Sequence, residues 1–215
     1  MALIKNAEGR KKSETPSGYE RLFGNSELGR LISKCHATVI TSGNELEKFL
    51  ADRLTKINGV SIANVNKEKR VLKGAKHGKN IIIDIVIEKP NKIMLIELKD
   101  GDTFDTKKVA GEIESLILAK NYLVKFRKIE EKNITIHYCS FNAINHEQIK
   151  KGAKGLLPED SAMTGKELCK ELGLDFEKIV DERRKYQKAN LNYFLEELLN
   201  ITELKEKIIT ILKRS

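Results

Sequence analysis

Two short, densely apolar runs stand close together in the middle of this chain: Asn80–Ile87 and Ile93–Lys99, separated by Glu88-Lys89-Pro90-Asn91-Lys92. Their β-branched content, their length and the Pro-Asn punctuation between them predict a β-hairpin. With 40% hydrophobic residues among 215, the chain holds enough apolar material for a core, and general disorder is excluded. The length favours one domain with a small appendage. Apolar runs such as Ile81–Ile83 and Ile93–Ile96 fall far short of the roughly 18 residues that a membrane span requires.

The remaining elements are read around that hairpin. A short helix is expected near Leu28–Cys35. A second is expected from about Asn44 to Ile57, where Leu46, Phe49, Leu50, Leu54 and Ile57 recur at helical spacing after a Ser42 or Asn44 cap. Val60–Val65 reads as a short strand, and Arg70–Lys79 as a basic loop or hairpin interleaved with Gly74 and Gly78. After the polar turn Asp100–Asp105 the spacing predicts a long helix over Thr106–Phe126, with Val109, Ile113, Leu116, Ile117, Leu123 and Val124 on its apolar face. Asp105 is its expected cap. Ile134–Phe141 alternates like a buried strand, Lys150–Gly155 reads as a basic glycine loop, and helices are expected near Gly165–Leu172, Asp175–Leu199 and Thr202–Leu212. This order gives an α/β class. The expected organisation is a flexible basic arm over residues 1–18, a core over 19–160 and a helical C-terminal subdomain over 161–215 packed on the core.

The chain carries 40 Lys+Arg against 31 Asp+Glu, a formal charge of +9, which favours polyanionic partners without specifying a reaction. The three cysteines, Cys35, Cys139 and Cys169, are scattered and form no CxxC pair, so neither a disulfide framework nor a thiolate zinc site is expected. The polar, basic segment Met1–Lys12 offers no apolar stretch for a secretory signal, and a cytoplasmic, prokaryotic protein is expected. No Ser-His-Asp or phosphate-loop pattern is recognisable.

The chemistry lies in the hairpin. Asp84 interrupts its first strand, and Glu97 and Lys99 close its second. Ionisable groups in such strands are costly to bury without a partner or a metal. Glu97 and Lys99 are two residues apart and project from one face. If Lys89–Lys92 forms a four-residue loop, Glu88 opposes Ile93, Val86 opposes Leu95, and Asp84 falls opposite Glu97. Directly opposed Cβ atoms lie about 4.5–5.5 Å apart. Two carboxylates so placed repel each other unless a cation or proton intervenes, and a hard divalent ion held by Asp84, Glu97 and water resolves the conflict. The short pattern acidic-x-Lys recurs at Asp105/Lys107, Glu130/Lys132 and Glu203/Lys205, so the strand setting and the neighbouring aspartate carry the signal. Glu47 lies about 80° from the centre of its helix's apolar stripe and borders the buried face. Glu45 is its rival.

These residues resemble the catalytic signature of the PD-(D/E)xK nuclease superfamily: Asp84 on one strand, Glu97-Leu98-Lys99 on the next, and Glu47 on a preceding helix. Ile83 departs from the proline of the motif's name. The string Glu97–Lys108, running into a helix with Gly111-Glu112, looks like type II restriction endonucleases in particular. The resemblance covers about residues 44–142. It implies a restriction-endonuclease-like core, a central mixed sheet flanked by helices, with a helical C-terminal extension. It further implies Mg²⁺, with Mn²⁺ as a substitute, ligated by Asp84, Glu97 and the Leu98 carbonyl, with Glu47 direct or through water. Lys99 would orient or deprotonate the attacking water. The implied products carry 5′-phosphate and 3′-hydroxyl ends.

The expected partner is double-stranded DNA, cut at a specific short sequence by a homodimer, with no membrane and no nucleotide cofactor. The expected DNA contacts are Lys73, Lys76 and Lys79, then Lys107 and Lys108 at a helix start. Lys150, Lys151 and Lys154 would track the backbone, and Arg183, Arg184 and Gln187, with Asn190, Tyr186 and Tyr193 nearby, suit base edges. A repair or junction-resolving nuclease on the same core is the alternative, and a non-catalytic DNA-binding module the alternative of a different class.

Overall fold

The computed structural model describes residues 2–8, 15–56, 58–76, 78–101, 104 and 106–214. They divide into two compact units, one comprising Leu46–Phe176 and the other Met1–Glu45 with Glu177–Ser215.

The first unit is built on a five-stranded sheet. Its strands are β1 (Val60–Ile62), β4 (Ile85–Lys89), β5 (Lys92–Lys99), β6 (Ile134–Ser140) and β7 (Ala162–Thr164), in the order β1-β4-β5-β6-β7. β1, β4 and β5 run antiparallel, whereas β5, β6 and β7 run parallel. A parallel neighbour requires a crossover. Helix α3 (Thr106–Arg127) supplies it between β5 and β6, and α4 (His146–Gly152) between β6 and β7. The remaining strands, β2 (Val71–Lys76) and β3 (Lys79–Ile82), form a separate antiparallel pair. The sheet is mixed and flanked by helices, as the resemblance implies.

Alternation assigns the two faces of the central strands. Val86, Ile93, Leu95, Ile134 and Ile136 meet Leu116, Ala119 and Leu123 of α3 in one apolar cluster that also takes in Leu72, Ile81 and Ile83. A second cluster, with Val109, Ile113, Tyr138, Ala143 and Ile149, seats the first turns of α3. Ile117, expected on that apolar face, is 41% exposed, and Ala119 takes the buried place. Helix α5 (Gly165–Leu172) packs against β6 and β7 with Leu168, Cys169 and Leu172 buried. Residues 161–176, expected with the C-terminal helices, thus belong with the sheet.

The second unit is helical. Its elements are α1 (Gly18–Phe23), most of α2 (Ser26–Ala51), α6 (Phe176–Asn200) after its first residue, and α7 (Thr202–Leu212). The two helices expected near 28–35 and 44–57 are one continuous helix that ends at Ala51. Neither Ser42 nor Gly43 stops it, because neither residue removes a backbone donor. The N-terminal stretch, expected as a mobile arm, is held at its start: the Ile4 N–H donates to Asn190 Oδ1 at 2.9 Å, and Asn190 Nδ2 donates to the Ala2 carbonyl at 3.2 Å. Arg10, Lys11 and Lys12 lie outside the described residues. Among the described residues, no helix is long and apolar enough to cross a membrane.

Two junctions are fixed by local chemistry. Thr164 ends β7 and caps α5 in a reciprocal box with Glu167. The next residue, Gly165, has no space for a side chain, since a Cβ there would lie 2.2 Å from the Phe141 carbonyl oxygen. Gly165→Ala is therefore expected to cost on the order of 3 kcal/mol by displacing α5 from β6. Urea unfolding measures this, and an unchanged midpoint would refute the close approach.

Candidate active site

The β4–β5 ladder runs from Lys89↔Lys92 through Glu88↔Ile93 and Val86↔Leu95 to Ile85↔Ile96, and stops there. Pro90-Asn91 makes a tighter turn than the expected four-residue loop, but the register is the expected one. Asp84 is not inside a strand, as expected, but in the break between β3 and β4. Its carboxylate substitutes for the missing strand neighbour: Asp84 Oδ2 accepts the Leu98 N–H at 2.8 Å. The Lys99 carbonyl accepts from the Phe141 N–H at 2.8 Å, so strand alternation turns the Leu98 carbonyl towards the opposite side, where Asp84 lies.

The break also accounts for Ile83. Its N–H donates to the Arg70 carbonyl at 3.1 Å, its carbonyl accepts from Arg70 Nε at 2.7 Å, and its side chain is buried. Proline has no N–H to offer at this position.

Glu97 and Lys99 project from the α3 face of β5, beside their β6 neighbours Tyr138 and Ser140. Lys99 Nζ donates to Glu97 Oε1 and to Glu112 Oε1, each at 2.7 Å. Glu112, on the second turn of α3, is itself held by the Tyr138 hydroxyl, which donates to Oε2 at 2.9 Å. Tyr138 packs edge-on against Phe104, with ring centroids 5.1 Å apart. No role was read for Glu112 from the sequence, although it lies roughly 65° from the centre of the Val109/Ile113/Leu116 stripe. That is the same signal that singled out Glu47. Tyr138 carried no sequence signal beyond strand alternation.

Glu47 is anchored from another side. Its Oε2 accepts from Arg70 Nη2 at 2.7 Å, and Arg70 Nη1 donates to the Ala63 carbonyl at 2.6 Å. Arg70, grouped by sequence with the exposed basic loop, is only 7% exposed. Its charge is committed to the interior. After these bonds, Oδ1 of Asp84 and Oε2 of Glu97 have no protein donor among the described residues. Also among the described residues, no three His, Cys, Asp or Glu side chains converge as a metal-holding cluster. Glu47 is engaged by Arg70 through Oε2.

The electrostatics follow from burial and proximity. Burial, then the Glu47 charge, pushes Asp84 up to about 6. Burial, then the Asp84 charge, pushes Glu97 up to about 7. Burial raises Glu47 as well, against the lowering pull of Arg70. Although burial pulls the Lys99 ammonium down, Glu97 and Glu112 together hold it above its ordinary value. Burial, then the Glu112 charge, raises the Tyr138 hydroxyl, which stays protonated and keeps donating. An acidic pair of this kind is relieved by a proton or by a cation placed between its oxygens.

No protein-family model matches the chain. It is 37% identical to the type II restriction enzyme HhaII of Haemophilus parahaemolyticus over 232 aligned residues, which span 97% of this chain and 98% of that protein. The chain belongs to the type II restriction enzymes. The similarity runs through both units and is not confined to residues 44–142.

In this restriction enzyme the basic residues singled out by sequence sort into three groups. Lys73 and Lys79 are exposed on the β2–β3 hairpin, and Lys107 and Lys108 on the first turn of α3. Lys108 borders a cleft of about 240 Å³ with Lys99, Gly101, Phe104, Glu112 and Tyr138. Lys154 is exposed after α4, whereas Lys150 and Lys151 sit in the last turn of that helix and not in a glycine loop. Lys76 is paired with Glu114 at 2.7 Å. Arg184 and Gln187 are exposed on α6, with Arg184 bonded to Asp181 at 2.8 Å. Arg183, expected at a base edge, is instead buried at 5% exposure and not available to one. Asn190 and Tyr193 are likewise engaged within the helical unit, Tyr193 accepting from Lys34 Nζ at 3.2 Å. His77, Asp102 and Asp105 lie outside the described residues.

A carboxyl whose folded pKa is raised binds a proton that the unfolded chain has already released, so stability falls as pH rises. For Asp84 and Glu97 this stability is fully present below their ordinary values of 3.8 and 4.5 and is lost as pH climbs through about 6 and about 7. In metal-free buffer, Asp84→Asn and Glu97→Gln are therefore expected to be more stable than the parent at pH 8, by on the order of 2 kcal/mol each. The gain should vanish near pH 4.5. Urea unfolding at the two pH values provides the comparison, and a pH-independent difference would contradict the assigned cause.

Proposed function

We propose that this chain is a Mg²⁺-dependent, site-specific DNA endonuclease working through a centre of the PD-(D/E)xK kind. One observation carries the reading: the carboxylates of Asp84 and Glu97, each with an open oxygen, lie at the end of a broken ladder beside the Lys99 ammonium. A charge count supports it. Asp84, Glu97, Glu47 and Glu112 bring four negative charges when ionised, and Lys99 and Arg70 bring two positive ones. The deficit is that of one divalent ion. Mg²⁺ suits such a donor set, because it takes hard oxygen ligands, is bound through one or two carboxylates and keeps several waters.

Asp84, Glu97 and the Leu98 carbonyl would hold the ion. When bound, it supplies a nucleophile at neutral pH and stabilises negative charge on the phosphoryl oxygens. The chain's own residues do the rest. Lys99 presents a fixed ammonium where the scissile phosphate and the attacking water meet. Arg70 holds the turn that carries Asp84 and pairs with Glu47 at the back of the site. Glu47, engaged by Arg70 through one oxygen, contributes directly or through water. In-line attack by water on the phosphorus breaks the bond to the 3′ oxygen; the water releases a proton to solvent and the 3′ oxygen takes one up from solvent, which gives 5′-phosphate and 3′-hydroxyl ends.

Lys73 and Lys79 on the hairpin, Lys107 and Lys108 on α3, Lys151 and Lys154 near α4, and Arg184 and Gln187 on α6 are the exposed groups suited to phosphates and base edges. Lys150 is half-buried in the same turn as Lys151. One centre per chain and two antiparallel strands call for a two-fold homodimer on the DNA.

Plasmid digestion tests the reading. Discrete fragments are expected with Mg²⁺ and none with chelator, whereas a smear would indicate a non-specific nuclease and a gel shift without cleavage a binder. Asp84→Ala, Glu97→Ala and Lys99→Ala should each lower cleavage by roughly 10³-fold or more with the fold intact. Full activity in Asp84→Ala or Glu97→Ala protein would sink the assignment.

A further inference from the structure

We propose that Glu112 is a positioning residue for the Lys99 ammonium, held in register by Tyr138; this rests on the endonuclease reading above. Three distances carry it. Lys99 Nζ lies 2.7 Å from Oε1 of Glu97 and 2.7 Å from Oε1 of Glu112, and the Tyr138 hydroxyl donates to the other Glu112 oxygen at 2.9 Å. The two carboxylates gripping Lys99 are not equivalent. Glu97 is on the same strand and is claimed by the cation site. Glu112 stands on α3, has both oxygens bonded to protein donors, and takes no part in the proposed ion binding.

Its place follows from the fold. Tyr138 is the β6 neighbour of Glu97, is 1% exposed, and is wedged against Phe104. It thus offers a hydroxyl on a buried ring packed edge-on against its neighbour. Glu112 bridges that fixed hydroxyl and a lysine whose four-carbon stem would otherwise let the ammonium wander. Once a divalent ion draws on the charge of Glu97, Glu112 is the carboxylate that keeps Nζ directed towards the cleft bordered by Lys108 and Gly101. Because displacing a reacting group by about 1 Å can cost on the order of 100-fold in rate, the contribution of such a tether falls on turnover and not on binding.

The test compares the parent enzyme with Glu112→Gln, Glu112→Ala and Tyr138→Phe in single-turnover cleavage. Gel shifts in Ca²⁺ and thermal melts accompany it. Glu112→Gln is isosteric and keeps the acceptor for Tyr138 while losing the charge. Expected are losses in turnover of about 10-fold for Glu112→Gln and about 100-fold for Glu112→Ala. A smaller loss is expected for Tyr138→Phe, with KM and DNA affinity within about two-fold throughout. The inference is overturned if Glu112→Gln turns over within two-fold of the parent. It is equally overturned if the loss appears as weakened DNA binding or an unfolded protein, which would make Glu112 a structural residue only. If the parent enzyme itself shows no Mg²⁺-dependent cleavage, the endonuclease reading fails instead.

Discussion

Two carboxylates that share poorly hydrated space cannot both stay ionised without help, and the construction around residues 83–99 answers that constraint. The ladder between β4 and β5 ends one pair before Asp84 and Glu97 would have met as strand partners. Asp84 takes the Leu98 N–H in place of a backbone carbonyl, so the break leaves no stranded donor and still keeps the two acids in each other's field. Unpaired buried backbone groups are costly, and here the Asp84 side chain itself removes that cost. The same arrangement would be a defect in a purely structural sheet. It is sustainable because Lys99 and Arg70 are placed on either side of the acids.

The two cations serve different acids through different scaffolds. Arg70 is tied to the carbonyls of Ile83 and Ala63 as well as to Glu47, and a planar, five-donor guanidinium is suited to such simultaneous bonds. Lys99 has a point charge on a flexible stem and is steadied by carboxylates from two elements. A rigid side chain thus stands at the back of the site and an adjustable one at its mouth. The parallel β5–β6 pairing places Tyr138 alongside Glu97, and α3, the crossover that makes the pairing parallel, brings Glu112 above them.

Much of this was legible in the sequence because it depends on short-range pattern. The hairpin register followed from alternation and a Pro-Asn turn, and a one-residue slip would have turned every core residue outward. The class, the long helix α3 and the three helices after residue 164 followed from periodicity. What escaped was non-local. Nothing near Glu112 announces that Tyr138, 26 residues later, donates to it. The burial of Arg70 and Arg183 could not be separated from that of neighbouring lysines, because long charged side chains look alike in sequence whether their heads reach water or a carbonyl. The continuity of α2 through Ser42-Gly43-Asn44 was hidden for a related reason: local breakers signal only a bias, and packing of Leu46, Phe49 and Leu50 outweighs it.

Ile83 carries a consequence for engineering. A redesign guided by the proline of the resembled motif would place proline there, and would expect a stiffer, more durable protein. In this chain residue 83 gives its N–H to Arg70 and fills a closed apolar site. The substitution would strip the donor and the volume together, beside the residue that holds Asp84 in place. The resembled motif and stability therefore pull in opposite directions at this position.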